Sequence, residues 1–145
     1  MQYVIGNSLD VDCEYNRNIE DLRNSKKICI LESKIKKVIK LKEESQNISN
    51  IIDDKYREIS VIPDIIVHTR GKDSNNTLAI EVKKSKSKVS QDYDLEKLKC
   101  YTDTTYDIND LKYEYGAFIM FYTGESQVEY PKITWFQNGK QINEQ

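Results

Sequence analysis

Residues that commonly bind zinc or cross-link a chain are scarce in this sequence, which has three cysteines and one histidine among 145 residues. Cys13, Cys29 and Cys100 are far apart and form no Cys-x-x-Cys pair, and His68 is the only imidazole that could join them. A zinc site or a disulfide framework needs several such side chains at short spacing, so the composition argues against both. We predict instead that Cys13 and Cys100 are small buried residues of the core.

Long apolar segments and an excess of positive charge are also missing. No run of about 18 or more apolar residues occurs, so the sequence predicts no membrane-spanning helix. The segment Met1 to Ile5 lacks the basic leader and the cleavage site of a secretory signal, which predicts a cytoplasmic protein. The formal net charge of -2 means that any affinity for nucleic acid has to come from a local cluster of lysines.

Two apolar segments separated by a polar turn predict a β-hairpin, with strands in residues 60–69 and 77–84. Successive side chains of a strand point to opposite faces of the sheet. In the first strand this alternation separates Ile65 and Val67 from Asp64, Ile66 and His68. In the second strand we expect a core face of Leu78, Ile80 and Val82 and an opposite face of Ala79, Glu81 and Lys83.

The predicted hairpin brings two carboxylates together. If the turn is centred within residues 71–76, Asp64 pairs across the hairpin with Glu81, Val82 or Lys83. The pairings that keep the apolar residues of both strands on the core side place Asp64 on the same face of the sheet as Glu81. Cross-strand Cβ atoms lie about 4.5 to 5.5 Å apart, so both carboxylates could bind one divalent cation. Pro63 cannot donate to the sheet and favours a bend just before Asp64.

Pro63-Asp64 followed by Glu81-Val82-Lys83 resembles the motif of the PD-(D/E)xK nuclease superfamily, and the similarity extends over residues 9–123. The resemblance implies an α/β fold, a restriction-endonuclease-like mixed β-sheet flanked by helices, in a single domain of residues 1–145. It implies catalysis by Asp64, Glu81 and Lys83, with magnesium or manganese bound by Asp64, Glu81 and the backbone carbonyl of Val82. The implied reaction is phosphodiester hydrolysis of nucleic acid, with DNA expected.

The residue types suit that chemistry. A magnesium ion activates water and neutralises charge on the phosphate, and it keeps several water ligands, so two carboxylates are enough to hold it. Lys83 would place an ammonium beside the scissile phosphate, where we prefer electrostatic stabilisation to a role as a base. The structural alternative is a surface ion pair between Glu81 and Lys83 worth at most about 1 kcal/mol.

A run of lysines leaves the second strand of the hairpin. Lys84, Lys86 and Lys88 are predicted to contact the phosphate backbone of nucleic acid, whereas the lysines of residues 34–42 are interpreted as a solvated face. Gln91 and Lys97 are further candidates for phosphate contact.

One departure from the family pattern bears on catalysis. Members of the superfamily usually have a helix before the first strand that contributes another acid, and the few residues before Leu9 predict that this helix is absent. The acid is then missing, or Glu14 takes its place as a metal ligand. A third interpretation is a catalytically inactive module of the same fold that binds a protein or nucleic-acid partner.

On the N-terminal side of the hairpin, alternation of apolar and acidic residues predicts a strand in residues 9–15. Partial helical spacing predicts one short helix within residues 28–39, and the polar stretch of residues 46–58 predicts a loop.

On the C-terminal side, a helix is predicted after the polar linker of residues 85–90, capped by Asp92 or Asp94. Its inward stripe is predicted to consist of Leu95, Leu98 and Tyr101 or Thr102. Strands are expected in residues 113–122 and 133–136, with a turn at residues 137–140.

Overall fold

The structure is a computed structural model, and it describes residues 3–5, 9–13, 27–31, 48–53, 56–70, 76–105, 111–124 and 130–142. These residues contain ten strands and one helix. In chain order they are β1 (Tyr3–Ile5), β2 (Leu9–Cys13), β3 (Lys27–Leu31), β4 (Ile48–Asp53), β5 (Tyr56–Ser60), β6 (Ile65–His68), β7 (Asn76–Lys84), α1 (Asp92–Thr102), β8 (Tyr115–Phe121), β9 (Lys132–Gln137) and β10 (Lys140–Ile142).

The larger sheet is mixed and has the strand order β1-β2-β6-β7-β8-β9-β10. Among these neighbouring strands, only β7 and β8 are parallel. Parallel neighbours need a crossover connection, and here the connection between the two strands contains α1. The predicted α/β class and mixed sheet are therefore confirmed. The described helix is too short and too polar to cross a membrane.

The predicted hairpin is present as β6 and β7. Ile65 pairs with Ile80 and Ile66 with Ala79 in an antiparallel register. Continuing that register by one residue sets Asp64, in the bend before β6, opposite Glu81. Most of the predicted turn, residues 71–75, lies outside the described residues.

The face of the sheet that is buried differs from the prediction. Ala79 and Glu81 are almost fully buried, whereas Val82, expected in the core, is 37% exposed. The reason is that α1 packs on the Ala79 side, where its Leu98 belongs to the main core cluster. The alternation was predicted correctly, and the choice of core face was wrong.

A glycine lets α1 approach the sheet closely. A Cβ atom at Gly116 of β8 would lie 3.2 Å from Leu98 Cδ2 and 3.3 Å from both Thr102 Cγ2 and Phe136 Cβ. Such distances are shorter than ordinary packing contacts. Because glycine has no Cβ atom, α1 can pack closely against β8 at Gly116.

The second sheet corrects two predictions. Residues 27–31 form β3 rather than the start of a helix, and residues 48–53 and 56–60 form β4 and β5 rather than a loop, in the order β3-β5-β4. β-branched isoleucines favour strands, and antiparallel pairing satisfies the backbone groups of these short segments. Ile28 of β3 is fully buried in the core cluster, and residues 32–47 lie outside the described part of the chain.

Strand β2 carries a buried polar pair. Asp12 lies on the side of the sheet that α1 covers, and its Oδ2 atom lies 2.9 Å from Nε2 of buried His68. His68 is therefore a hydrogen-bonded residue of the sheet. The neighbouring Cys13 points away and is exposed, and Cys100 is only partly buried, so the prediction of two buried thiols was wrong. Glu14 lies outside the described residues.

The C-terminal elements follow the prediction closely. Of the predicted stripe, Leu98, Tyr101 and Thr102 are buried, whereas Leu95 is only partly buried. Gln91 occupies the N-cap and makes no side-chain cap, so the predicted aspartate caps were wrong. Strands β8 and β9 are confirmed. The turn after β9 uses positive φ angles at Asn138 and Gly139 to begin β10, which the sequence did not predict.

Candidate functional site

One cleft of about 500 Å³ lies beside β7 and the start of α1. Asp64, Glu81, Val82 and Lys83, the residues predicted for catalysis and metal binding, all line it. They meet there because Asp64 ends the bend before β6, while Glu81 and Lys83 lie two residues apart on one face of β7. The register of the hairpin therefore delivers all four residues to one opening.

Glu81 is the most buried acid of the cleft, with 1% of its surface exposed. Its Oε2 atom accepts a hydrogen bond from Lys97 Nζ at 2.6 Å, and its Oε1 atom accepts one from the Tyr101 hydroxyl at 3.2 Å. Burial raises the pKa of Glu81 to about 7, against the opposing effect of Lys97 and with a further increase from the charges of Asp64 and Asp94. Burial is thus the main reason that Glu81 binds a proton more tightly than an exposed glutamate does.

Lys97 is 6% exposed, which contradicts its interpretation as a phosphate contact at the surface. Besides Glu81, its ammonium lies 3.3 Å from Asp94 Oδ1 and 5.1 Å from the centre of the Tyr93 ring. Burial alone would lower the pKa of Lys97, but the charge and hydrogen bond of Glu81, followed by Asp94, outweigh burial and raise it. Lys97 is therefore a buried cation that compensates Glu81. Gln91, the other surface candidate, is exposed.

Lys83 is anchored at the start of α1. Its ammonium forms an ion pair with Asp94 Oδ2 and donates to the backbone carbonyl of Ser90 at 3.1 Å. The Lys83 and Asp94 side chains are 13% and 15% exposed, so this pair is partly screened from water. These two acceptors, both at the N-terminal end of α1, fix the position of the otherwise flexible Lys83 side chain.

Asp64 is fixed by the backbone of the neighbouring strand, since its Oδ2 atom accepts a hydrogen bond from the Val82 N–H at 2.7 Å. This bond ties the bend before β6 to the middle of the Glu81-Val82-Lys83 segment. The hydrogen bond therefore holds the Asp64 carboxylate close to Glu81 and Lys83, which line the same cleft.

The donor set fits a hard divalent cation better than zinc. Three carboxylates line the cleft, Asp64, Glu81 and Asp94, and their oxygens are the ligands that a hard cation prefers. Four lysines also line it, Lys83 and Lys97 close to these acids and Lys84 and Lys86 at the exposed rim. In the described part of the chain, no three His, Cys, Asp or Glu side chains are grouped closely enough to hold an ion by themselves. Asp64 and Glu81 with several waters would suit magnesium, which keeps much of its hydration shell.

The predicted lysine run lies partly at the rim of this cleft. Lys84, Lys86 and Lys88 are all exposed, and the first two contribute to the cleft lining. Lys86 Nζ donates to the carbonyl of Gly124 at 2.9 Å, while Ser85 Oγ accepts from the Thr123 N–H at 3.3 Å. These bonds hold the segment after β7 against the segment after β8.

Sequence reasoning missed the contribution of the helix to the site. Asp94, Lys97 and Tyr101 are spaced at i, i+3 and i+7, so they share one face of α1. That spacing was visible in the sequence next to the predicted apolar stripe. What could not be read from it was that this face meets Glu81 and Lys83.

Comparisons of the chain with protein-family models, with curated proteins and with solved structures give no match. Function is therefore inferred from the chemistry of the site.

Proposed function

We propose that this chain is a metal-dependent nuclease of the PD-(D/E)xK type with a restriction-endonuclease-like fold. The proposed reaction is hydrolysis of phosphodiester bonds in nucleic acid, and DNA is the expected substrate. The observation that supports this most directly is the cleft shared by Asp64, Glu81 and Lys83. Exposed Lys84 and Lys86 at the same opening provide positive charge where a phosphate backbone would enter.

The roles follow from the chemistry of each side chain. Asp64 and Glu81 would hold magnesium or manganese, with the backbone carbonyl of Val82 as a third ligand by analogy with the superfamily. When bound, the ion supplies Lewis-acid activation of the phosphate and of water. Lys83, paired with Asp94, stabilises the negative charge that develops on the phosphate.

Cleavage and its dependence on the two carboxylates test the proposal. The purified protein is incubated with DNA and RNA substrates in magnesium or manganese, alongside the variants Asp64→Asn and Glu81→Gln. We expect cleavage by the unmodified protein and a loss of roughly 100-fold or more in each variant, because each removes a charged ligand. The matched control Asp92→Asn removes an exposed acid from the first turn of α1 and should cleave normally.

The enzymatic proposal fails if the unmodified protein cleaves neither DNA nor RNA with either metal. It also fails if Asp64→Asn cleaves as fast as the unmodified protein, since the activity would then belong to another site or to a contaminant.

A second function is favoured by one specific observation. Both oxygens of Glu81 are already hydrogen-bonded, to Lys97 and to Tyr101, so the buried carboxylate is satisfied without a metal. This arrangement suits a non-catalytic module that binds nucleic acid or protein through its lysine rim. Thermal melting separates the two proposals, because a metal that binds only the folded state raises the melting temperature. No shift at millimolar magnesium or manganese would favour the module.

A further inference from the structure

Asp94 occupies a central position in the charged network although the proposed chemistry does not use it. One carboxylate contacts two cations from different elements: its Oδ2 atom pairs with Lys83 of β7, and its Oδ1 atom lies 3.3 Å from Lys97 of α1. Its side chain is 15% exposed and lines the same cleft. A carboxylate shared between the partly buried ammonium of Lys83 and the buried ammonium of Lys97 restricts both of them.

We infer that Asp94 is the positioning residue of the proposed nuclease site, which holds the Lys83 ammonium in the cleft while Lys97 holds Glu81. The inference depends on the proposed function, because it assigns Asp94 a part in the same reaction. It also identifies an acid on the helix after the hairpin that orders the site, whereas the sequence predicted that the superfamily's additional acid is missing or replaced by Glu14.

The geometry explains why one anchor matters for Lys83. A lysine has four rotatable side-chain bonds and loses rotamer entropy when it is fixed in one place. Here the ammonium is fixed by Asp94 and by the Ser90 carbonyl, which flank the N-cap of α1. Removing Asp94 leaves a single neutral acceptor, so Lys83 would spend less time facing a bound phosphate.

This positioning role differs from a purely structural one in its effect on kinetics. Lys83 is proposed to act on charge that develops in the transition state, so losing its anchor should lower kcat and leave KM nearly unchanged. If Asp94 acts through Lys83, its removal should matter little once Lys83 has already been replaced.

The test combines kinetics with a direct observation of the Lys83 ammonium. Asp94→Asn is compared with Asp92→Asn, which removes the same charge from the same helical turn at an exposed position. We expect Asp94→Asn to lower kcat about tenfold or more with KM changed less than about twofold, and Asp92→Asn to leave both unchanged. In a Lys83→Ala background, Asp94→Asn should lower residual cleavage by less than about twofold.

Proton–nitrogen NMR of the lysine ammonium groups provides the second measurement, which needs no cleavage. In the unmodified protein and in Asp92→Asn, the Lys83 ammonium signal should persist, because an ion-paired ammonium is protected from exchange with water. In Asp94→Asn it should broaden or disappear. Asp94→Glu, which keeps the charge, should retain the signal and recover part of kcat, and melting temperatures show that each variant is folded.

The outcomes separate this inference from the proposed function. An unchanged Lys83 signal in Asp94→Asn, or cleavage within about twofold of the unmodified protein, overturns the positioning role while leaving the nuclease proposal intact. Absence of cleavage by the unmodified protein overturns the nuclease proposal and, with it, the catalytic part of this inference. The NMR signal then decides only whether the Asp94 anchor exists.

Discussion

Replacing Lys97 by methionine tests the buried ion pair at the centre of the site. Methionine fills a similar volume but has no charge, so Glu81, 1% exposed, would lose the cation that lies 2.6 Å from its Oε2 atom. Removing one partner of a buried pair typically costs about 3–5 kcal/mol of unfolding free energy, because the other charge stays buried. We expect a loss of that order at pH 8.

The loss should depend on pH, and its sign follows from the pKa of Glu81. Folding raises this pKa from 4.5 to about 7, because the carboxyl group is buried. The stability associated with the protonated carboxyl is fully present below pH 4.5 and is lost as pH rises through 7. At 1.36 kcal/mol per pKa unit, this group alone lowers the unfolding free energy of the unmodified protein by up to about 3 kcal/mol across that range.

Lys97 does not titrate in the same window. Its pKa is raised above 10.5, so its own contribution is constant between pH 5 and pH 8. Removing it raises the pKa of Glu81 further, since Lys97 opposes the effect of burial. The Lys97→Met variant should therefore lose about 1–2 kcal/mol at pH 5, where Glu81 is mostly protonated, and more at pH 8.

Urea unfolding at pH 5 and pH 8 measures these differences. Lys99→Met is the matched control, because Lys99 lies on the same helix and pairs with Glu96 at 2.7 Å at a more exposed position, where such pairs contribute at most about 1 kcal/mol. Adding Glu81→Gln to Lys97→Met should recover stability at pH 8. Equal losses for the Lys97 and Lys99 variants, or a Lys97 loss that is the same at both pH values, would refute the reasoning.

Two further predictions concern the rim of the cleft and the packing of α1. Lys86→Ala should weaken binding to a DNA duplex and reduce the slope of log affinity against log salt concentration by about one. Lys140 is exposed and lies outside the cleft lining, so Lys140→Ala should change neither quantity. Fluorescence anisotropy over a series of salt concentrations measures the affinity and its slope. Gly116→Ala should cost about 1–3 kcal/mol of unfolding free energy, because its Cβ would lie 3.2–3.3 Å from Leu98 and two other residues. As a control, Tyr130→Ala, at a position 93% exposed, should change the unfolding free energy by less than about 0.5 kcal/mol. Urea unfolding measures both values, and similar losses for Gly116→Ala and Tyr130→Ala would contradict the packing argument.

Local patterns predicted the elements in which neighbouring residues carry the decisive information. Strand β7, helix α1 and strands β8 and β9 have clear alternation or helical spacing and were predicted close to their observed bounds. The first strand of the hairpin was predicted over residues 60–69 but spans only Ile65–His68, and β10 was not predicted. The wrong secondary-structure predictions concern residues 28–31, 48–53 and 56–58, where short isoleucine-containing segments fit either period. Their strand conformation depends on pairing within the second sheet, which is a non-local interaction.

The candidate site divides in the same way. Pairing of the Asp64 segment with the Glu81 segment, and the common direction of Glu81 and Lys83, follow from strand alternation and hairpin register, so the sequence alone determined that these residues converge. Alternation defines two faces of a strand but does not say which face a helix will cover. Only the tertiary structure decided that α1 covers the Glu81 face, which buries this acid against Lys97 and places Asp94 beside Lys83.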